Sequence, residues 1–390
     1  MKFKTLVILT LILCSCSNEK NQSIISIDVL TPTGPELKNL SDIAEDIQYI
    51  PLETHPEALM KFVSGLKVTD DKFYIRNVSE LLCFDKKGKF LYKLNKQGRG
   101  PDEYLYLSDY DINPEKKEVV VLSGDKLIFY NEVDTGFQYL KQINLEIRPQ
   151  YCDFIPDQDN ILLSFAASTG EKDYQCVIIN QEGDTLAKRP NYYMFTRTSK
   201  VVMSFSIDNV INRDNDALNI KGFLSDTMFT ITKDYKFIPI MILNTGGNGI
   251  RPDFLANVPI PDSNSGSPME KFLMLSEIIE TERYLLYRYY YQKNGFWGVY
   301  DKNSGENRQF DVKSLIKDDI SGGINIEPRF ACNGILYSWT DAMTLKKYMS
   351  SVESKDIELK KPERAAELKR IAESIKEDDN NILIAITPRK

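Results

Sequence analysis

The feature that most constrains this chain is a strand–turn–strand phrase that occurs five times. Its clearest copy runs Glu80–Phe84, then Asp85-Lys-Lys-Gly88, then Lys89–Leu94. Apolar β-formers flank a turn in which Asp and Gly supply hairpin geometry. The phrase returns around Asn131 and Gly136, Asn180 and Gly183, Lys233 and Asp234, and Asp301 and Gly305. Successive turns start 46, 49, 52 and 69 residues apart, the last step stretched by an insertion near residues 244–269. A period of roughly 40–50 residues with three or four strands per unit is the pattern of propeller blades. A β-sandwich needs no shared turn phrase, and β-helix rungs are shorter. A sixth blade can be assembled from Ile326–Tyr337 and the chain ends. The expected architecture is therefore all-β: a six-bladed β-propeller over residues 24–390, closed by both termini so that two sheet edges disappear. Ile25–Leu30 alternates like a strand, Ile382–Ile386 is continuously apolar, and these two are the expected seal. Before residue 362 almost nothing reads as helical. From Pro362 the stripe Ala365, Leu368, Ile371 and Ile375 predicts one helix over 362–377, packed outside the blades.

The N-terminus carries an address. Lys2 and Lys4 precede the apolar run Leu6–Leu13, which has the length of a signal sequence and is too short to span a bilayer. The run ends in Leu13-Cys14-Ser15-Cys16. A small residue before a cysteine resembles a bacterial lipobox, and Cys16, preceded by Ser15, fits it. The expected organisation is a signal peptide over 1–15, a lipidated Cys16, and a polar tether over 16–23. Several acyl chains on one cysteine anchor a protein stably without a spanning helix. With Ser17 rather than Asp after the cysteine, the analogy with lipoproteins points to the outer membrane.

Bulk numbers mostly exclude. With 49 basic against 56 acidic residues, the chain is mildly acidic, which argues against a nucleic-acid partner. One histidine, His55, rules out sites that need two. Cys83, Cys152, Cys176 and Cys332 are widely separated and form no CxxC, so they read as buried small hydrophobes. No EF-hand loop or Asp-rich repeat supports calcium, and no cofactor or metal is expected.

Four phrases carry a resemblance: Tyr49-Ile-Pro-Leu-Glu-Thr54, Phe84-Asp-Lys-Lys-Gly-Lys-Phe90, Gln97-Gly-Arg-Gly-Pro-Asp-Glu-Tyr104 and the closing Asp378-Asp-Asn-Asn-Ile-Leu383. The chain resembles the six-bladed β-propeller lipoproteins of Bacteroidetes, which are loosely related to NHL-type propellers. The resemblance covers nearly all of residues 43–388. The usual ending carries Pro after the Asn, where this chain has Asn381. The resemblance implies fold and location and leaves activity open.

Candidate sites each have a bland alternative. Arg99, Asp102, Glu103 and Tyr104 can converge as a polar ligand patch, or brace a tight Gly-Pro corner; the corner is favoured. Arg251 and Asp253 echo that loop inside the insertion, which reads equally as a variable loop or a functional one. Tyr284–Tyr291 with Phe296 and Trp297 can stack on a ligand, yet core packing is favoured. His55 has no GxSxG elbow to serve. The acid pairs Asp102/Glu103 and Asp318/Asp319 suit glycosidase chemistry in type alone. Asp184-Thr185-Leu186 and Asp226-Thr227-Met228 resemble Bacteroidetes O-glycosylation triplets and also read as strand starts. The sequence favours a binding scaffold for a glycan, peptide or envelope protein. An envelope hydrolase or lyase using carboxylates or a metal at the propeller channel is the alternative.

Overall fold

The computed structural model describes residues 24–201, 209–214, 217–259, 267–351 and 359–390. The signal peptide, Cys16 and the tether lie outside the described residues.

Six sheets form the ring. From the channel outward, the first blade is Ser64–Val68, Lys72–Asn77, Glu80–Asp85 and Phe90–Leu94. The second is Asp109–Asn113, Glu118–Ser123, Lys126–Val133 and Gly136–Asn144. The third is Tyr151–Phe154, Ile161–Ser164, Tyr174–Ile179 and Thr185–Pro190. The fourth is Asn209–Asp214, Ala217–Gly222, Thr227–Ile231 and Phe237–Asn244. The fifth is Met274–Glu280, Tyr284–Tyr291, Asn294–Asp301 and Asn307–Asp311. The sixth joins Phe330–Cys332, Ile335–Thr340 and Ile382–Pro388 to Ala44–Pro51 from the other end of the chain.

The recurring turn has a local cause. In the first blade Asp85 Oδ1 accepts from the amides of Lys87 and Lys89, both at 2.9 Å. Asn180 repeats this in the third blade with the amides of Glu182 and Asp184. Gly88 and Gly183 follow at φ 83° and 93°, where a side chain is strained. The same chemistry at the same strand junction is what the period detects.

Neighbouring blades bury an apolar layer between them. Leu81, Cys83, Val119 and Tyr130 sit between blades one and two. Val120, Phe129, Cys152 and Leu163 sit between two and three. Tyr287 and Tyr289 pack between four and five, while Tyr284 and Trp297 pack between five and six. The aromatic run is thus core, as expected. Cys83, Cys152 and Cys176 are buried thiols and Cys332 is half-buried.

Closure differs from the expectation in one strand. Ile382–Pro388 does enter the last blade, but its outer partner is Ala44–Pro51, with Ile47 opposite Ile386 and Ile50 opposite Leu383. Ile25–Asp28 instead adds a fifth strand to blade four, parallel to Phe237–Asn244. Between them the chain straps blade five: Thr33 and Gly34 donate to Asn307 O, and Leu37 donates to Gln309 O. The N-terminal segment is a belt over three blades, and only its final strand seals the ring. Alternation identified Ile25–Leu30 as a strand but carried no information on which edge it meets.

Three α-helices decorate the blades among the described residues: α1 (Pro252–Ala256), α2 (Ala342–Ser350) and α3 (Pro362–Ser374). α3 lies outside the blades as expected. Leu368 and Ile375 are buried with Leu345 of α2 and Ile47 and Ile384 of the closing blade. Asp46 on the sealing strand bonds Arg364 (2.9 and 2.5 Å) and Lys361 (3.1 Å) of this helix. The bond to Arg364, aided by Lys361 and opposed by partial burial, lowers the Asp46 carboxyl to about 2. A depressed acid contributes stability above its unfolded pKa, and that contribution fades as pH falls from about 4 toward 2. For a partly exposed pair it is about 1–2 kcal/mol. Asp46→Asn is expected to lower stability by that amount at neutral pH, with the gap closing in acid; urea titrations at pH 7 and pH 3 check it.

Candidate functional site

A cavity of about 420 Å³ opens where the inner strands of five blades finish. Its lining includes Lys67 from blade one, Asp111 from blade two, Asp153 from blade three, Arg213 from blade four and Phe330–Asn333 from blade six. Turns after these strands add Asp70, Asp71, Glu115 and Asp157, and Val68, Ile112, Phe154 and Ile211 line it with apolar surface.

The floor is one ion network that ties four blades. Lys67 Nζ lies 3.2 Å from Asp111 Oδ1 and 3.0 Å from Asp153 Oδ1. Arg213 reaches Asp111 Oδ2 and the Phe154 carbonyl, both at 2.7 Å. Asp109 and Asp111, two apart on a strand and so on one face, each accept a backbone amide of blade three. Cys152 N donates to Asp109 at 2.9 Å, and Phe154 N donates to Asp111 at 2.8 Å. Burial pushes the Asp109 carboxyl well above the usual range; Lys67 opposes this and Asp153 adds to it. Burial pushes Asp111 the same way, but Arg213 and Lys67 outweigh it and hold that carboxyl low. Lys67 stays charged for the converse reason: burial disfavours its ammonium, and Asp111 and Asp153 more than compensate.

Charge at the rim is acidic. Asp71 is paired with Lys72 at 3.0 Å and Asp157 with Lys233 at 3.0 Å. Asp70 receives the Asn333 amide at 3.2 Å, and Glu115 is exposed. Six carboxylates line the cavity against the two cations Lys67 and Arg213. Such a concave site with a few convergent polar groups is where a ligand binds by default.

The sequence candidates lie elsewhere. The loop with Arg99, Asp102, Glu103 and Tyr104 leads into the start of the inner strand Asp109–Asn113, whereas the cavity is at the finishing ends. Tyr104 is fully buried, and its hydroxyl donates to Ser79 O at 2.6 Å and accepts from Lys96 N at 3.2 Å. Glu103 accepts from Gly100 N at 2.6 Å, and Asp102 pairs with Lys96 at 3.1 Å. A Cβ on Gly98 would stand 1.9 Å from Glu103, which explains the glycine. Arg99 is exposed. Arg251 and Asp253 face each other at 3.4 Å and are mostly exposed, at the start of α1 after blade four. The two loops stand three blades apart round the ring.

His55 accepts from Glu57 N and stacks on Phe90 at 5.0 Å. Asp318 and Asp319 spend their oxygens on loop and strand donors, including Tyr49 and Ser41. Thr185 and Leu186 are exposed on an outer strand, while Met228 of the second triplet is buried. Sequence reasoning missed Lys67, Asp109, Asp111, Asp153 and Arg213. Charges inside short apolar strands, as in Asp109-Tyr-Asp111, were the available signal.

The family described as Domain of unknown function (DUF4934) matches residues 24–387, and the chain belongs to it. A Bacteroides fragilis NCTC 9343 protein described as exported superimposes with a TM-score of 0.71 at 20% identity, covering 94% of this chain and 100% of the other. Virginiamycin B lyase from Staphylococcus aureus aligns with a TM-score of 0.37 at 14% identity, over 75% of this chain and 80% of the other. No curated protein matches the chain. Among the described residues no helix is long and apolar enough to cross a membrane.

Proposed function

We propose that this member of the DUF4934 family is an exported binding scaffold, held on the envelope by a lipid on Cys16, that receives a ligand or partner segment at the channel mouth. The observation that carries the reading is the cavity itself: five blades converge on it, and its charged floor is built from inner-strand side chains whose positions the ladders fix. Peptides, glycans and loops of envelope proteins are the ligand classes that such a polar, partly apolar cleft suits. Export is supported by the signal-like Leu6–Leu13 run and by the description of the Bacteroides fragilis neighbour. The kinship to lipoprotein and NHL-like propellers belongs to this same proposal.

A second reading, hydrolysis or elimination by channel carboxylates, is favoured by one specific feature. Asp109 is a carboxyl with a raised pKa beside Asp153, the state a general acid requires. Against it, Asp109 is not among the residues that line the cavity, and Asp111 and Asp153 are both engaged by cations. The deciding experiment is a thermal-shift screen of glycans and peptides on wild type and on Ala331→Trp, which adds bulk at a lining position; because Ala331 also packs against the core between blades five and six, the variant's melt without ligand is compared with wild type first. Stabilisation lost in the variant supports the cavity; equal stabilisation of both places binding elsewhere. Turnover of a bound compound, abolished in Asp109→Asn, would favour the enzyme. Cys16→Ala is expected to move the protein from the membrane pellet to the soluble fraction without changing its melt, and a variant that stays in the pellet in high salt would remove the lipid anchor.

A further inference from the structure

We infer that the channel cavity is selective for a cation, and that the group it receives is an alkylammonium or guanidinium, with Asp153 as its direct counter-ion. The inference rests on the cavity being the binding site and adds its chemistry.

Asp153 stands on the inner strand of blade three. Its side chain is 9% exposed, so it sits nine-tenths out of water, yet it lines the cavity. One of its oxygens takes Lys67 Nζ at 3.0 Å. No described residue donates a hydrogen bond to the other. Asp109 and Asp111 differ: each accepts a backbone amide of blade three, so part of their charge is spent holding the blades together. That oxygen is not sealed in the core but open to the cavity, so a donor arriving there completes the carboxylate by replacing solvent.

Charge bookkeeping then selects the donor. Lys67 and Arg213 are both claimed by Asp111, and Lys67 also by Asp153. Neither cation is left in excess to attract an anion. At the rim, Lys72 and Lys233 pair with Asp71 and Asp157, while Asp70 and Glu115 have no cationic partner among the described residues. A cation entering the mouth passes two carboxylates that have no direct ion pair among the described residues and ends at a third with a free oxygen. An anion meets the same groups as repulsion. Low-dielectric walls such as Ile112, Phe154 and Phe330 keep this field from being screened as it would be on an open surface. The apolar lining also suits the methylene stem of a lysine, arginine or polyamine better than a bare metal ion. Among the described residues no cluster of acids, cysteines and histidines has metal-holding geometry.

Two sources carry this chemistry: a basic side chain of a peptide, and a free polyamine. The test titrates the full chain with a Gly-Arg-Gly peptide, a Gly-Lys-Gly peptide, spermidine and a Gly-Glu-Gly peptide by calorimetry, at low and high salt. The expected result is binding of the cationic probes with weakening in high salt, and none of the glutamate peptide. The peptides and spermidine separate the two sources by their relative affinities. Asp153→Asn is expected to weaken cation binding about tenfold. Because that residue holds Lys67, the exposed-rim variant Glu115→Gln provides a second readout, expected at about two- to threefold weakening with an unchanged melt. If the glutamate peptide binds as well as the basic ones, and Ala331→Trp abolishes it, the cavity is the site and the cation preference is wrong. If the cationic probes bind wild type, Asp153→Asn and Ala331→Trp alike, both the counter-ion and the cavity are wrong. If no probe binds wild type, the cation inference fails, and the screen with Ala331→Trp decides the cavity separately.

Discussion

A chain that ends at residue 379 is expected to show no cooperative melt. The eleven residues removed include Ile382–Pro388, the strand that joins the two ends of the ring. Ile382, Leu383, Ile384 and Ile386 are fully buried, three of them in the cluster between blades five and six and Leu383 in the one between six and one. At roughly 1.5–3 kcal/mol for each large side chain, their loss is about 6–12 kcal/mol. That matches the whole net stability of a typical domain, about 5–15 kcal/mol. The ladder loss is additional. This strand is the inner neighbour of Ala44–Pro51 and the outer neighbour of Ile335–Thr340, so its removal leaves two unpaired edges and separates the N-terminal strand from the ring. Asn380, just before it, donates to Glu53 O and Ala58 O at 2.8 Å and accepts from Met60 N at 3.0 Å, fixing the loop into blade one. Circular dichroism of the truncated body against temperature checks the result. A melt at the wild-type midpoint would mean that the terminal strand is a dispensable tail, as many chain ends are.

That closing segment also shows what the sequence could and could not say. Ile382–Ile386 is readable because a continuous apolar run at a chain end must be buried. The turn phrase is readable because Asp85 and Gly88 act on amides two to four residues away. α3 is readable from a stripe at helical spacing. α2 was missed although Asp341 caps it by accepting from Thr344 N at 2.7 Å; nine residues with Lys346 and Lys347 in the middle give a short, weak stripe. The belt was missed for another reason. Its contacts pair residues near 25–40 with residues near 241–244, 307–309 and 317, and no local pattern encodes that. The site was hidden in the same way. Lys67, Asp111, Asp153 and Arg213 come from four blades, and each alone reads as a polar residue on an ordinary strand. Which strand of a blade faces the axis is set by the order of strands in the ring, so convergence appears only after assembly. The Gly98–Tyr104 loop is the converse case: it is dense in polar residues in the sequence, and they bond mainly to their own loop.

The second large effect is expected from Asp318. Its carboxylate is fully buried and accepts five hydrogen bonds: Ile320 N (3.0 Å), Ser321 N (2.9 Å), Ser321 Oγ (2.5 Å), Gly323 N (3.0 Å) and Tyr49 OH (3.1 Å). Four of these shape the loop between blades five and six, and the fifth reaches the sealing strand. Gly323 is packed so closely that a Cβ there would lie 1.9 Å from the Tyr49 hydroxyl. Asp318→Ala strands these donors where water does not reach them. Each unmade buried bond costs about 1–3 kcal/mol, and partial relaxation holds the total near 3–5 kcal/mol. Asp318→Asn is expected to do nearly as much harm, because in either orientation its amide turns donors toward at least one backbone N–H that can only donate. Asp319 is the comparison. Among the described residues its side chain accepts only from Ser41, at 2.9 Å from N and 2.5 Å from Oγ, so Asp319→Asn is expected to cost about 1–2 kcal/mol. The sequence offered these neighbours as an acid pair of the kind that cleaves glycosidic bonds. A catalytic pair and a structural pair part company in a urea titration: removing a catalytic acid leaves stability intact or raises it, whereas removing a brace lowers the midpoint. An Asp318→Ala midpoint at or above wild type would therefore overturn the structural role and return this pair to the list of candidate catalytic acids.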